Sequence, residues 1–140
     1  MANRERLIQT LTDLIRIDSP TGEEDEIDQE VSSRLAALGF EIYHDSFKNI
    51  IAKLPGDGEP LLLSAHIDTV EPGRGIKPLV EGDRIATDGT TILGGDCKAG
   101  VAAILEALQS LKEDGADHIP IEVCFTRAEE PGLLGARNLD

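Results

Sequence analysis

Hydrophobic residues near the start of the chain recur with the spacing of one helical face, and polar residues occupy the other positions. This first apolar stripe comprises Leu7, Ile8, Leu11, Leu14 and Ile15. A second stripe with the same spacing comprises Ile27, Val31, Leu35 and Leu38. Gly39 follows the second stripe, and glycine is typical of helix C-termini. The pattern predicts two amphipathic helices, and Thr21 with Glu24 predicts a capping box at the start of the second.

After the second helix the apolar spacing becomes typical of strands and turns. The predicted strands cover 41–44, 49–54, 61–65 and 119–126, with a hairpin formed by 79–80 and 84–86. The run Leu61-Leu62-Leu63 lacks alternation, which predicts a strand covered on both faces in the middle of a sheet.

Helical spacing returns between the hairpin and the last predicted strand. The apolar residues of this third helix are Val101, Ile104, Leu105, Leu108 and Leu111. We expect the helix to end near Asp114-Gly115, and Pro131 predicts the first turn of a fourth. Strands that alternate with helices predict a three-layer α/β domain, in which ligands bind at the carboxyl ends of the strands.

Length and charge narrow the functional classes. The 140 residues suffice for one domain, and the net charge of −14 would repel nucleic acid and anionic membranes. No apolar run approaches the roughly 18 residues that span a bilayer. Cys97 and Cys124 are too few for a disulfide framework, so we expect a cytoplasmic protein. The acids between Asp18 and Glu30 favour a solvated helix face over a recruitment surface.

Three polar clusters lie where predicted strands or glycine-rich loops end: His66-Ile67-Asp68, Asp96, and Glu129-Glu130. Taken alone, the first is explained by chance spacing and the second by a helix N-cap, whereas a salt-bridged loop would explain only one glutamate of the third. Together they supply the imidazole and carboxylate ligands that suit zinc or manganese. A carboxylate that bridges two ions and a free carboxylate that accepts a proton are the components of a cocatalytic hydrolase.

Four ordered motifs resemble the peptidase T-like branch of the dizinc aminopeptidase and deacylase family. They are the strings SAHIDTV (64–70), PGRGIKP (72–78), DGTTILGGDCKAG (88–100) and TRAEEPGLLGA (126–136), and the opening IDSPTGEE (17–24) is also similar. The resemblance implies the family's three-layer αβα zinc-peptidase-like catalytic domain with a mixed sheet. It also implies removal of the N-terminal residue from tripeptides or other short peptides by metal-activated water.

The same resemblance assigns roles to the clusters. His66 and Glu130 would each bind one of two zinc ions, for which cobalt or manganese could substitute, and Asp96 would bridge the ions. Asp68 would orient His66, and Glu129 would be the general base. Relatives have a cis peptide after the bridging aspartate, and this predicts one between Asp96 and the next residue.

Two departures from the family pattern affect the expectations. Cys97 stands where this branch usually has a second aspartate, and the resemblance implies that its side chain does not bind metal. Relatives are much longer: they carry two further metal ligands, an acid and a distant histidine, and an inserted domain used for dimerisation and closure over the substrate. Neither His44 nor His118 lies in a matched segment, so neither is expected to substitute. We interpret residues 1–140 as the N-terminal portion of a catalytic domain from a family whose full-length members form homodimers.

This interpretation predicts weak zinc binding and little hydrolysis by the isolated chain. Two alternatives remain open. The chain could be a non-catalytic interaction or regulatory module with the same fold, although a scaffold has no physical need for the Glu129-Glu130 pair. The substrate could also be an N-acyl amino acid, which a comparison of tripeptides with N-acyl amino acids would decide.

Overall fold

The structure is a computed structural model that describes residues 1–140, and it contains the predicted alternation of helices and strands. In chain order the elements are α1 (Arg4–Arg16), α2 (Asp25–Leu38), β1 (Glu41–His44), β2 (Ile50–Leu54), β3 (Leu61–His66), β4 (Leu79–Glu81), β5 (Arg84–Ala86), α3 (Gly95–Asp114), β6 (Ile121–Thr126) and α4 (Leu134–Arg137). The predictions of the first three helices, the strands and the β4–β5 hairpin are confirmed. None of the helices combines the length and hydropathy that a bilayer-spanning segment needs.

A mixed four-stranded sheet with the order β1-β2-β6-β3 forms the centre of the fold. β1 and β2 are antiparallel, and β2 is antiparallel to β6. β3 and β6 are parallel, with His66 opposite Thr126 in the last register position. The carboxyl ends of β3 and β6 therefore lie side by side, and the mixed α/β fold class is confirmed.

The core lies between one face of the sheet and the first three helices. Its sheet residues include Ile50, Ala52, Val123 and Phe125, all of them fully buried. The apolar stripes predicted for α1, α2 and α3 supply the helical side of the same cluster. Each such side chain contributes about 1.5–3 kcal/mol relative to an exposed position, so the cluster fixes the sheet and the loops that leave it.

The predicted central position of β3 is wrong for the residues described. β2 and β6 are the inner strands because each pairs on both sides, whereas β3 lies at the edge of the sheet. Leu61 and Leu62 point to opposite faces of β3 and remain 46% and 60% exposed, whereas Leu63 and Ala65 pack against the core. An apolar run without alternation indicates apolar character on both faces, but it does not show what covers them.

The predictions of a capping box at the start of α2 and of a first turn at Pro131 for α4 also differ from the structure. α2 begins at Asp25 after an N-cap at Glu24, whose side chain makes no capping hydrogen bond, so the capping box is wrong. The Thr21 hydroxyl instead donates to Asp68. Glu24 and Asp28 are buried, so only part of the acidic segment is a solvated face. α4 begins at Leu134, beyond the first-turn position predicted from Pro131.

Candidate metal centre

The five residues singled out in the sequence converge at the carboxyl ends of β3 and β6. His66 is the last residue of β3, and Asp68 lies in the loop that follows. Glu129 and Glu130 lie in the loop after β6, and Asp96 lies at the start of α3. The parallel pairing of the two strands places their loops next to each other, which is where open α/β sheets bind ligands.

His66 is at the base of this cluster. Its Nε2 atom lies 3.1 Å from Oδ1 of Asp96 and 3.7 Å from Oε2 of Glu129. One potential ligand atom from each of His66, Glu129 and Glu130 lies within 4.8 Å of the others. The His66 side chain is 10% exposed and that of Asp96 is 88% exposed, so the cluster opens to solvent on the Asp96 side.

Asp68 is fully buried and contacts both His66 and the loop that carries Glu129 and Glu130. Its carboxylate accepts hydrogen bonds from the backbone N–H of Glu129 (2.8 Å) and of Glu130 (3.2 Å), and from the Thr21 hydroxyl (2.7 Å). Nδ1 of His66 lies 3.0 Å from the backbone carbonyl of Asp68 and 3.4 Å from its carboxylate. Two acceptors at Nδ1 favour a proton there, which leaves Nε2 facing Asp96 and Glu129.

The close contacts between His66 and the surrounding acids change their pKa values. Burial opposes protonation of His66, but contacts with Asp68 and Asp96 outweigh it and raise the imidazole pKa to about 9. Burial also opposes ionisation of Asp68, yet His66, the two amides and Thr21 together lower its pKa to about 2. Burial, with nearby carboxylates, raises the pKa of Glu130. Crowded acids around one imidazole form a donor set that suits a divalent cation.

The position of Cys97 adds a further donor near the cluster. Its sulfur lies within 4.8 Å of potential ligand atoms of His66 and Asp96. The thiol also packs against Gly100, where an added Cβ would come within 2.7 Å of Sγ. The predicted cis peptide between Asp96 and Cys97 is confirmed.

The other two histidines lie apart from these groups. The His44 imidazole contacts Asp28 on α2, and the partly buried His118 imidazole forms a hydrogen bond with the backbone carbonyl of Ile119. Neither belongs to a group of potential metal ligands, as expected from the sequence.

The sequence reasoning missed three side chains that support the centre. Thr21 and Glu24 reach the loops after β3 and β6, and no local pattern pointed to these distant contacts. Lys98 is fully buried, and its ammonium donates to the carbonyl of Ile17 at 2.6 Å. Burial lowers the pKa of Lys98 to about 8, although Asp18 opposes the shift. Lys98 continues the apolar spacing of α3 by one turn, and that spacing was the available signal.

Comparison with known proteins agrees with this fold. The uncharacterised protein YqjE of Bacillus subtilis (strain 168) is 41% identical over 150 residues, which cover all of this chain and 40% of YqjE. A tripeptidase from Staphylococcus aureus superposes with a TM-score of 0.96 at 40% identity, over 100% of this chain and 40% of that one. The aminopeptidase PepT from Bacillus cereus gives 0.94 at 39% identity, over 99% and 40%. The chain therefore spans about 40% of the length of these relatives.

The family itself follows from a match over most of the chain. The model described as peptidase family M28 matches residues 49–139, which include His66, Asp96, Glu129 and Glu130. The two solved structures confirm the resemblance to peptidase T-like enzymes and the fold of the zinc-peptidase catalytic domain. With its fold and its cluster of acids and imidazole at the strand ends, the chain belongs to peptidase family M28.

Proposed function

We propose that the protein is a metal-dependent aminopeptidase that removes the N-terminal residue from tripeptides or other short peptides. The observation that carries the proposal is that His66, at the end of β3, belongs to two groups of closely spaced potential ligands, one that includes Asp96 and one that includes Glu129 and Glu130. The tripeptidase and PepT structures, each about 40% identical, support this choice of substrate. The family match supports the broader class of peptidase.

The donor set specifies which residues would hold the metal. His66, Asp96 and Glu130 would bind two zinc ions, with Asp96 as the shared ligand, and cobalt or manganese could replace zinc. When bound, such ions lower the pKa of water and polarise the substrate carbonyl. Asp68 fixes the His66 ring and the backbone of both glutamates.

Glu129 is the remaining carboxylate, and we assign it the proton transfers. It is partly exposed, and its carboxylate lies 3.7 Å from His66 Nε2, at the edge of the same cluster. From there it would take a proton from the attacking water and deliver it to the leaving amine. A carboxylate in this role must stay close to the metal ligands without being needed to hold the ions.

A pair of matched substitutions separates the two glutamates. Glu130→Gln should weaken cobalt binding by at least tenfold, because a ligand carboxylate is lost. Glu129→Gln should keep cobalt affinity near that of the unchanged chain, because its carboxylate is assigned to proton transfer. Titration followed by the visible spectrum of bound cobalt measures both. Equal loss in the two variants would contradict the assignment, and absence of cobalt binding by the unchanged chain would contradict the proposed function.

Hydrolysis is then tested on the zinc-loaded chain, for which only slow turnover is expected. In a panel of tripeptides and N-acyl amino acids, this slow release of the N-terminal residue should occur from tripeptides, and Glu129→Gln should abolish it. Release from N-acyl amino acids alone would favour a deacylase. Because the chain spans about 40% of its relatives, cobalt binding is the more sensitive of the two tests.

A further inference from the structure

The segment between α1 and α2, residues 17–24, contacts the loops after β3 and β6 and the first turn of α3. The Ser19 hydroxyl donates to the carbonyl of Ile67, and the Thr69 amide donates to the carbonyl of Ser19. On the α3 side, the buried Lys98 ammonium donates to the carbonyl of Ile17. We name residues 17–24 the crossing segment.

At its far end the crossing segment reaches the loop that carries both glutamates. Glu24 is only 2% exposed, and its Oε1 atom accepts a hydrogen bond from the backbone N–H of Ala128 at 3.2 Å. The next two amides, of Glu129 and Glu130, donate to Asp68. Two buried carboxylates therefore hold three successive backbone amides of this loop.

The loop needs such contacts because its backbone is strained. Ala128 has φ of +49°, in the left-handed region that is sterically unfavourable for a non-glycine residue. Its amide is held by Glu24, and its carbonyl accepts from the amide of Leu134 at 2.9 Å. The conformation at Ala128 sets the direction in which the following residues, Glu129 and Glu130, leave β6.

We propose that Glu24 is a positioning residue for the Glu129-Glu130 pair and acts through the amide of Ala128. The inference rests on the proposed function for its consequence, since misplaced glutamates would bind metal less tightly. The hydrogen bond itself requires no metal. Glu24 touches neither ion nor substrate in this scheme, and its effect depends on the reach of its side chain rather than on its charge.

Three substitutions separate reach from charge. Glu24→Asp keeps the charge but withdraws the carboxylate by one methylene, whereas Glu24→Gln keeps the length and an acceptor oxygen but removes the charge. Aspartate is also a better N-cap than glutamate, so the start of α2 should not suffer. Glu23→Asp is the matched control, because Glu23 is exposed and pairs only with Arg74 at the surface.

Two measurements are made on each variant. Hydrogen exchange of the Ala128 amide is measured on the metal-free chain, and cobalt affinity is measured by titration below the melting temperature. We expect Glu24→Asp to exchange faster at Ala128 and to bind cobalt about tenfold or more weakly, as loss of an outer-shell contact does. Glu24→Gln and Glu23→Asp should stay close to the unchanged chain in both measurements.

Each other outcome has a definite meaning. Unchanged exchange in Glu24→Asp overturns the inference whether or not metal binds. Faster exchange with unchanged cobalt affinity also overturns it, because Glu24 would then be a structural contact only. Weaker cobalt binding in Glu24→Gln but not in Glu24→Asp would indicate a charge effect and overturn it as well. If the unchanged chain binds no cobalt, the proposed function fails, and the exchange result still decides whether Glu24 holds the loop.

Discussion

At the scale of single residues, Asp68 carries more of the site than its sequence spacing suggested. The string His66-Ile67-Asp68 placed both residues in one polar cluster, although β3 ends at His66 and Asp68 lies in the loop that follows. The string could not show that Asp68 also accepts from the amides of Glu129 and Glu130, because those contacts depend on the parallel pairing of β3 with β6. Short-range spacing identified the residue, and tertiary structure determined its further partners.

Replacement of Asp68 by asparagine should therefore disturb both the His66 ring and the backbone of Glu129 and Glu130. An amide has only one acceptor oxygen, and its NH₂ group would face either His66 or the backbone N–H groups that now donate to Asp68. We expect Asp68→Asn to reduce cobalt affinity by about 10–100-fold, as loss of an outer-shell carboxylate does. The control is Asp88→Asn, because Asp88 is exposed and its side chain bonds only to Thr90. Equal affinities in the two variants would contradict this role.

The thiol of Cys97 is close to the cluster but packs against Gly100, one turn further along α3. Its sulfur occupies the space that the missing side chain of Gly100 leaves open. We expect Cys97→Ser to leave cobalt affinity unchanged and the visible spectrum free of sulfur-to-metal charge transfer in both proteins. A charge-transfer band that disappears on substitution would instead make Cys97 a ligand.

At the scale of elements, the sequence predicted the helices, whose apolar spacing is periodic. It did not predict features that depend on contacts between residues distant in the chain. The stripes of α1, α2 and α3 were recognisable because burial on one face imposes a 3.6-residue period. The prediction that β3 is covered on both faces failed at Leu62, because hydrophobicity alone does not show whether another layer covers a strand. The capping box predicted for Thr21 and Glu24 was wrong because both side chains instead form hydrogen bonds with loops that are distant in sequence.

One buried carboxylate, that of Glu106, accepts hydrogen bonds across the contact between α1 and α3. Glu106 is 3% exposed and accepts from Arg6, from the amide of Asn3 and from the Ser110 hydroxyl. The Arg6 hydrogen bond outweighs burial, and the pKa of Glu106 falls to about 2. We expect Glu106→Gln to lower the free energy of unfolding by about 1–3 kcal/mol at pH 7, because its NH₂ group would face the Arg6 guanidinium.

The pH dependence follows from the lowered pKa of Glu106. A depressed pKa means that the unfolded chain binds the proton more readily, so this stabilisation is complete above about pH 4.5 and is lost as pH falls towards 2. Urea unfolding of the unchanged chain and of Glu106→Gln should give free energies that converge over this range. Glu113→Gln is the control, since Glu113 also bonds Arg6 but is exposed and should contribute much less to the free energy of unfolding. A difference independent of pH would contradict the assignment.

At the scale of the whole molecule, a net charge of −14 makes any cation stabilising to some degree. General screening and binding at the metal centre must therefore be separated. Screening depends on the charge and concentration of the ion, whereas the centre depends on the imidazole of His66 and on ligand preference. Cobalt and zinc bind imidazole well, while magnesium prefers oxygen ligands and keeps its water.

We expect cobalt to raise the melting temperature well beyond the rise produced by magnesium at the same concentration. At 100 times its dissociation constant an ion that binds only the folded chain adds about 2.7 kcal/mol, or roughly 10 °C for a domain of this size. His66→Asn should retain the magnesium response and lose the excess produced by cobalt, because the asparagine cannot replace Nε2 at the base of the cluster. Calorimetry at constant ionic strength provides the measurement. An equal excess in the variant would mean that cobalt binds elsewhere on the acidic surface, and the carboxylates around His66 would no longer account for the metal.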